Sequence, residues 1–186
     1  MEFNDALYRG NRATKMSIGD FDAFGSPNFS PLADIGIQIE TRVFEQFGSG
    51  KFENKATYSD EVFVLTAHPN LNPELLDGLN LNKIRAVILR AFGSGNFCIK
   101  GKNSLLPFLD KCRENNVIVA IVSQADFDSV DLTQYTAGRA ALKHGAISGN
   151  DMTLEAALTK LMFLLAHYES KTDIEELFQQ SIVGEL

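Results

Sequence analysis

The chain has 186 residues, 45% of them hydrophobic, and a formal net charge of −7 at pH 7. This length suits one domain, or one domain together with part of another. An acidic balance without a cluster of Lys and Arg residues argues against nucleic acid or an anionic membrane surface as a partner. The sequence has no apolar run long enough to cross a bilayer and no signal-peptide pattern after Met1, so we expect a cytoplasmic protein.

The first sixty residues show little of a core pattern. Residues 1–17 predict a strand, a turn and a second strand. Residues 21–32 are rich in Gly, Ser, Asn and Pro, which predicts a loop, yet this loop also contains Phe21, Phe24 and Phe29. Three phenylalanines predict that the loop is buried against this chain or another one. Residues 41–60 are mostly polar and are predicted to be a linker.

From Val62 onward, apolar runs typical of strands alternate with segments that have one apolar helical face. The predicted strands cover residues 62–67, 86–89, 117–122 and 146–147. The predicted helices cover residues 72–79, 103 or 104 to 112, 135–144 and 154–167, and a last helix begins at a capping box in residues 172–175. This alternation predicts an α/β fold with a small parallel sheet, flavodoxin-like in outline.

The strongest candidate site follows the apolar run of residues 86–89. Arg90 comes directly after this run, and a glycine-rich loop then ends at Asn96. Ser123 and Gln124 lie at the end of the next predicted strand. Because ligands of open parallel sheets bind outside the carboxyl ends of the strands, these side chains suit a small polar ligand with a carboxylate. The alternative interpretation is an ordinary strand-to-helix turn.

Other reactive side chains give weaker indications. Cys98 and Cys112 are the only cysteines, and the position of Cys112 on an apolar helix face indicates a reduced core thiol, with a disulfide between the two as the alternative. His68 follows a predicted strand, where a surface or packing histidine is a simpler interpretation than a catalytic one. Three aspartates in one loop lack the EF-hand pattern, so we predict a solvated loop and no metal site: Asp126, Asp128 and Asp131.

Four stretches resemble the bacterial type I, or cytoplasmic, L-asparaginases. They are residues 9–15 (RGNRATK), 22–28 (DAFGSPN), 88–96 (ILRAFGSGN) and 145–161 (GAISGNDMTLEAALTKL), and the resemblance runs in order over essentially the whole chain. It implies that residues 1–40 are a β-hairpin remnant of the larger N-terminal asparaginase domain and that residues 61–186 are the smaller C-terminal domain. The resemblance further implies hydrolysis of asparagine to aspartate and ammonia, without metal or cofactor.

The family's nucleophilic residues are missing from this sequence. Its first threonine lies in a Thr-Gly-Gly-Thr-Ile stretch, and a second threonine with its aspartate lies in a Gly-Thr-Asp-Thr stretch; neither pattern occurs among the 186 residues. Lys15 matches the family's catalytic lysine, which serves the second pair. A threonine hydroxyl needs a base or a nearby cation to become a nucleophile, and a lysine without that threonine has nothing to activate. We therefore expect the chain alone to have no amidase activity.

The resemblance also implies a regulatory asparagine site and a homo-oligomer, a dimer or a tetramer. The family's allosteric residues correspond to Thr14, Arg90, Asn96, Ser123, Gln124 and Ala125, and family members often have cysteine in place of Ala125. The alternatives are a non-catalytic module that binds asparagine or aspartate, an oligomerisation module, and the related archaeal amidotransferase subunit. Without neighbouring strands, residues 1–30 are expected to be mobile or to pack on another chain.

Overall fold

The computed structural model describes residues 1–42 and 53–186. Residues 43–52, which belong to the predicted linker, lie outside the described residues. The strands in chain order are β1 (Glu2–Phe3), β2 (Ala6–Leu7), β3 (Thr14–Lys15), β4 (Phe24–Gly25), β5 (Ala33–Ile35), β6 (Ile39–Thr41), β7 (Val62–Thr66), β8 (Ala86–Ala91), β9 (Ile118–Ser123) and β10 (Ala146–Ser148). The α-helices are α1 (Leu106–Glu114), α2 (Thr136–Lys143), α3 (Leu154–His167) and α4 (Lys171–Phe178).

Four parallel strands form the central sheet, in the order β10-β9-β8-β7. Val87 and Leu89 of β8 contribute to a core that also contains buried residues of α1 and α2, whereas Ala86 and Ile88 contribute to a core with α3 and α4. Because β8 is covered on both faces, its sequence is continuously apolar rather than alternating. The predicted α/β fold with a small parallel sheet is therefore confirmed.

Small antiparallel strands precede this sheet, also as predicted. Strands β1, β2, β5 and β6 pair in the order β1-β2-β5-β6, and β3 pairs separately with β4. The loop with three phenylalanines is only partly buried: Phe24 packs edge-on against Phe3 and Phe29 is half-buried, while Phe21 is exposed. The packing of Phe24 is within this chain, which supports one of the two predicted modes of burial.

Two helix predictions are wrong in detail. Residues 72–79 do not form an α-helix; Asn72 does cap a start, by accepting a hydrogen bond from the Glu74 N–H, but only the short 3₁₀ turn Pro73–Leu76 follows. A second 3₁₀ turn, Leu81–Lys83, begins at its own cap, Asn80, directly after this segment. The cap of α4 is Ser170, two residues before the predicted capping box of residues 172–175, and its hydroxyl accepts a hydrogen bond from the Asp173 N–H.

Candidate functional site

The predicted meeting of two strand ends is present in the structure. Strands β8 and β9 pair in parallel, with Arg90 opposite Val122 and Ala91 opposite Ser123. A cavity of about 250 Å³ lies at this point, between the N-terminal strands and the parallel sheet. We call it the Arg90 cavity, and its lining includes five of the seven predicted site residues, namely Thr14, Lys15, Arg90, Ser123 and Ala125.

Arg90 supplies a cationic group to this cavity. The residue ends the buried part of β8 and is itself half-buried. Its Nε atom is buried and has no hydrogen-bond partner among the described residues. Because buried polar atoms are nearly always hydrogen-bonded in folded proteins, this unpaired N–H is an unusual feature of the strand end.

Gln124 was predicted to bind a ligand, but in the structure its side chain bonds to the backbone at the end of the sheet. Its Nε2 atom donates to the backbone carbonyl oxygens of Ala67, at 2.7 Å, and of Arg90, at 2.9 Å. These two bonds fasten the ends of β7, β8 and β9 together and use both N–H groups of the side-chain amide. Only the side-chain oxygen of Gln124 remains to accept a hydrogen bond from a ligand.

Asn96 closes a tight turn and is not part of the cavity lining within the described ranges. Its backbone exchanges two hydrogen bonds of 2.8 Å with the backbone of Phe92. The turn needs Gly95, which has a φ of +97° and whose added Cβ would lie 2.6 Å from the Leu132 side chain. The turn explains the glycine-rich sequence without a ligand, which was the alternative interpretation for this loop.

Thr14 and Lys15 reach the cavity from β3. The Thr14 hydroxyl donates to the Glu155 carboxylate at 3.0 Å, so the strand is tied to the first turn of α3. Lys15 is exposed, and its Nζ atom lies 4.6 Å from the centre of the Phe24 ring, a cation–π arrangement. The sequence resemblance was the only source for these two residues, because nothing in their local spacing indicates a site.

Asn28 also lines the cavity, although no sequence pattern indicated it as a site residue. Its Nδ2 atom lies within hydrogen-bond distance of the carbonyl oxygens of Asp126, Asp128 and Asp151, at 3.2, 3.3 and 3.2 Å. Its Oδ1 atom accepts from the Asp128 N–H at 2.9 Å. The side chain therefore holds a wall of the cavity in place. The only sequence signal was its position in one of the resembling stretches.

Arg12 joins the N-terminal segment to the rest of the chain. It is only 3% exposed, and its guanidinium forms an ion pair with Asp151 and donates to the carbonyl oxygens of Glu185, at 2.7 Å, and Asn28, at 3.3 Å. The expectation that residues 1–30 lack support within this chain is therefore wrong. These residues pack on the C-terminal part of the same chain.

A second buried ion pair, Lys160 with Glu185, fastens the C-terminal tail to α3 at an N–O distance of 2.5 Å. Burial lowers the pKa of Lys160, and Glu185 opposes this effect. Burial alone would raise the pKa of Glu185, but hydrogen bonds from Lys160 and from backbone N–H groups outweigh it and hold the pKa below its usual value. The charged pair contributes to the tail's structure, and Glu185 also accepts from the N–H groups of Ile182 and Val183.

The remaining reactive residues have ordinary surroundings. Both cysteines are free; Cys112 is fully buried, as predicted for a core thiol, and burial raises its pKa to about 11. His68 is exposed at the end of β7. Residues 1–42 and 53–186 contain no group of three or more acidic, His or Cys side chains arranged to hold a metal ion. In the same ranges, every helix is too short or too polar to span a bilayer.

The fold is that of a two-part α/β protein in which a cavity lies between small antiparallel strands and a parallel sheet. A family profile described as Glutaminase/Asparaginase C-terminal domain matches residues 61–178, and one described as Asparaginase, N-terminal matches residues 1–46. The chain belongs to the glutaminase/asparaginase family.

Comparisons with individual proteins agree with this assignment. The chain is 33% identical to L-asparaginase 1 of Escherichia coli (strain K12) over 186 residues, which are 99% of this chain and 54% of that protein. It superimposes on the thermostable L-asparaginase from Thermococcus kodakarensis with a TM-score of 0.91 at 31% identity, covering 99% of this chain and 56% of that one. For L-asparaginase I from Vibrio cholerae the TM-score is 0.87 at 35% identity, with coverage of 100% and 56%. The chain thus spans about half the length of the relatives that it matches.

Proposed function

We propose that this chain is the C-terminal part of a type I L-asparaginase, the enzyme that hydrolyses asparagine to aspartate and ammonia. The observation that supports this most strongly is the similarity over 99% of the chain to an L-asparaginase of known structure, with a TM-score of 0.91. In this proposal residues 1–40 belong to the N-terminal asparaginase domain, residues 41–60 are a linker and residues 61–186 form the C-terminal domain. The protein acts in the cytoplasm.

The chemistry requires groups that these 186 residues do not supply. Amide hydrolysis by this family begins with a threonine hydroxyl that attacks the side-chain amide carbon, and the threonine stretches are absent from the sequence. Lys15 is the proposed catalytic residue that remains, in the lining of the Arg90 cavity. A lysine can accept or stabilise a proton for a threonine, but it does not replace the nucleophile. The chain alone is therefore inactive as an amidase.

An ammonia assay tests this point. Purified chain is incubated with asparagine, and released ammonia is measured against heat-denatured chain, with a full-length L-asparaginase as the positive control. We expect no release above the denatured sample. Release that requires folded chain would contradict the proposed inactivity, and its loss in Lys15→Ala would show that this lysine participates without the missing threonines.

The Arg90 cavity is the proposed binding site for asparagine or aspartate. Arg90 pairs with a carboxylate, and the hydroxyl groups of Thr14 and Ser123 and the loop at Ala125 complete the contacts, while Gln124 and Asn96 fix the surrounding backbone. Calorimetry with asparagine tests the proposal. We expect binding that is lost in Arg90→Ala and kept in Arg42→Ala, a control arginine paired with Asp34 on the exposed N-terminal sheet. Absence of heat at millimolar ligand would count against the site.

The second candidate function is an oligomerisation module. Its support is a set of large apolar side chains exposed in the N-terminal segment: Ile18 (98%), Phe21 (91%), Ile37 (107%) and Ile39 (67%). Apolar side chains concentrated in one exposed segment are typical of surfaces that contact another chain. We expect a homo-oligomer, a dimer or a tetramer, by sedimentation equilibrium, with Ile37→Ser and Phe21→Ser shifting the distribution toward monomer. A monomer at all concentrations would exclude this role.

A further inference from the structure

We propose that residues 180–186, which we call the strap, are a conformational device that holds residues 1–42 on the parallel-sheet part of the chain. Lys160 on α3 is the anchor of the strap. Its hydrogen bond and its ion pair among the described residues both go to the strap and not to the N-terminal segment. Lys160 therefore controls from a distance how firmly that segment is docked. The inference does not depend on the proposed function.

One ammonium group holds the strap at two points. The Nζ atom of Lys160 donates to the backbone carbonyl oxygen of Gln180 at 2.6 Å and pairs with the carboxylate of Glu185 at 2.5 Å. The side chains of the pair are only 5% and 4% exposed. Because a buried charge is costly without its partner, the two groups keep each other in place. Gln180 and Glu185 lie near opposite ends of the strap, so this contact fixes its course along α3.

The carboxylate of Glu185 also shapes the strap itself. It accepts hydrogen bonds from the backbone N–H groups of Ile182, at 3.0 Å, and Val183, at 2.7 Å. The chain can turn back in this way because Gly184 has a φ of +80°, which a glycine adopts without strain. Removal of the carboxylate would leave two part-buried N–H groups without their acceptor. The anchor and the shape of the strap therefore depend on the same side chain.

The backbone of the strap bonds to the N-terminal segment. The carbonyl oxygen of Val183 accepts from the Asn11 side-chain amide at 3.1 Å, and that of Glu185 accepts from the Arg12 guanidinium at 2.7 Å. Glu185 thus bonds to Lys160 through its side chain and to Arg12 through its backbone. A change at the side chain moves the carbonyl oxygens that hold the segment, so contacts run from α3 through the strap to residues 11 and 12.

Docking of the N-terminal segment and stability of the whole chain should respond differently to loss of this anchor. Replacing a buried ion pair with apolar side chains of similar volume often leaves overall stability unchanged. An apolar side chain at position 160, however, offers no donor to the strap and leaves the Glu185 carboxylate without its cation. Two other contacts, Arg12 with Asp151 and Thr14 with Glu155, do not involve the strap, so the segment is loosened rather than released.

Amide hydrogen exchange followed by mass spectrometry on the full chain tests the inference, because it reports local opening separately from global unfolding. In Lys160→Met we expect the amides of residues 10–17 and 180–186 to exchange at least about tenfold faster, while those of β8 and β9 change by less than about twofold. An equal acceleration in the sheet would mean a general loss of stability and would refute the strap. Unchanged exchange in residues 10–17 would refute it as well.

Two further variants control for the substitution itself. Lys111→Met removes a lysine whose ion pair with Asp77 is about half exposed, and it should leave exchange in residues 10–17 unchanged. Glu185→Gln is a milder change than Lys160→Met, because it removes the charge but keeps an oxygen for the N–H groups of the strap. It should accelerate exchange in residues 10–17 by at least about threefold. Equal effects of Lys111→Met and Glu185→Gln would contradict the role of the buried pair.

A double-mutant comparison shows whether Lys160 acts through the strap. In an Arg12→Ala background the strap has lost its main bond to the N-terminal segment, so adding Lys160→Met should accelerate exchange in residues 13–17 by less than about threefold. The same substitution in the unmodified chain should give the full effect of about tenfold. If the full effect persists in the Arg12→Ala background, the two residues act independently and the strap does not connect them.

Discussion

Arg12 allows the sharpest test of how the N-terminal segment is held. In Arg12→Ala the carboxylate of Asp151 and the carbonyl oxygens of Glu185 and Asn28 lose a donor. Breaking a buried ion pair typically costs about 3–5 kcal/mol, because one charge stays buried without its partner. Asp151 is 26% exposed and water can hydrate it in part, so we expect a loss near the lower end, about 3 kcal/mol.

Urea unfolding monitored by far-UV circular dichroism measures this loss in the free energy of unfolding. Arg12→Lys keeps the charge but not the planar set of donors, so about half of the loss is expected. The matched control is Arg42→Ala, which breaks an ion pair whose side chains are 42% and 50% exposed and should cost less than about 1 kcal/mol. Similar losses in Arg12→Ala and Arg42→Ala would refute the argument from burial.

A double-mutant cycle gives a stricter test of the same pair. Arg12→Ala and Asp151→Ala are measured singly and together, and the difference from additivity is the interaction free energy. We expect a coupling of at least about 1.5 kcal/mol, since the guanidinium and carboxylate are in direct contact and largely shielded from water. Additive losses within about 0.3 kcal/mol would mean that Arg12 stabilises the segment through packing rather than through its charge.

Three further predictions concern other parts of the fold. Gly138→Ala should destabilise the chain by about 3 kcal/mol in urea unfolding, because its Cβ would lie 2.5 Å from a backbone oxygen, whereas Gly10→Ala, with open space around it, should have little effect. A thiol reagent at pH 8 should modify Cys98 quickly and Cys112 only after unfolding, since burial raises the pKa of Cys112 to about 11; two fast thiols would contradict this. Because the pKa of Glu185 is lowered by folding, stability should fall as the pH drops below about 4.5, the usual pKa of a glutamate carboxyl, and Glu185→Gln should flatten that dependence in acid unfolding curves.

The sequence predicted the central sheet well because β7, β8 and β9 consist almost entirely of apolar residues. The bounds of α3 were also predicted correctly, since its long apolar pattern follows Thr153, whose side chain caps the helix by accepting from the Ala156 N–H. Residues 72–79 were assigned wrongly, because a cap signal and a proline are equally compatible with a short 3₁₀ turn. Local signals fix where a helix begins more reliably than how far it continues.

For the candidate site too, some residues could be placed from the sequence and others could not. Parallel topology alone placed Arg90 beside Ser123, because neighbouring strands end at the same edge of the sheet. The role of Gln124 on backbone carbonyls and the contacts of Asn28 could not be predicted, since they depend on which loops meet. Asn28 and Asp128 are 100 residues apart in the sequence, and Arg12 and Asp151 are 139 apart. No pattern within a window of the sequence describes contacts of that separation.

The long-range contacts converge on one short stretch, and this convergence connects stability with binding. Arg12 and Asn28 both bond to Asp151, and Thr14 bonds to Glu155 four residues further on. The same residues either line the Arg90 cavity or lie next to those that do, so the N-terminal segment is docked at the cavity itself. A ligand that contacts both the N-terminal segment and the parallel sheet stabilises the state in which the segment is docked. By the same coupling, a change that undocks the segment weakens ligand binding by the same free energy. Arg12, although it is not in the lining, should therefore affect asparagine affinity as well as stability.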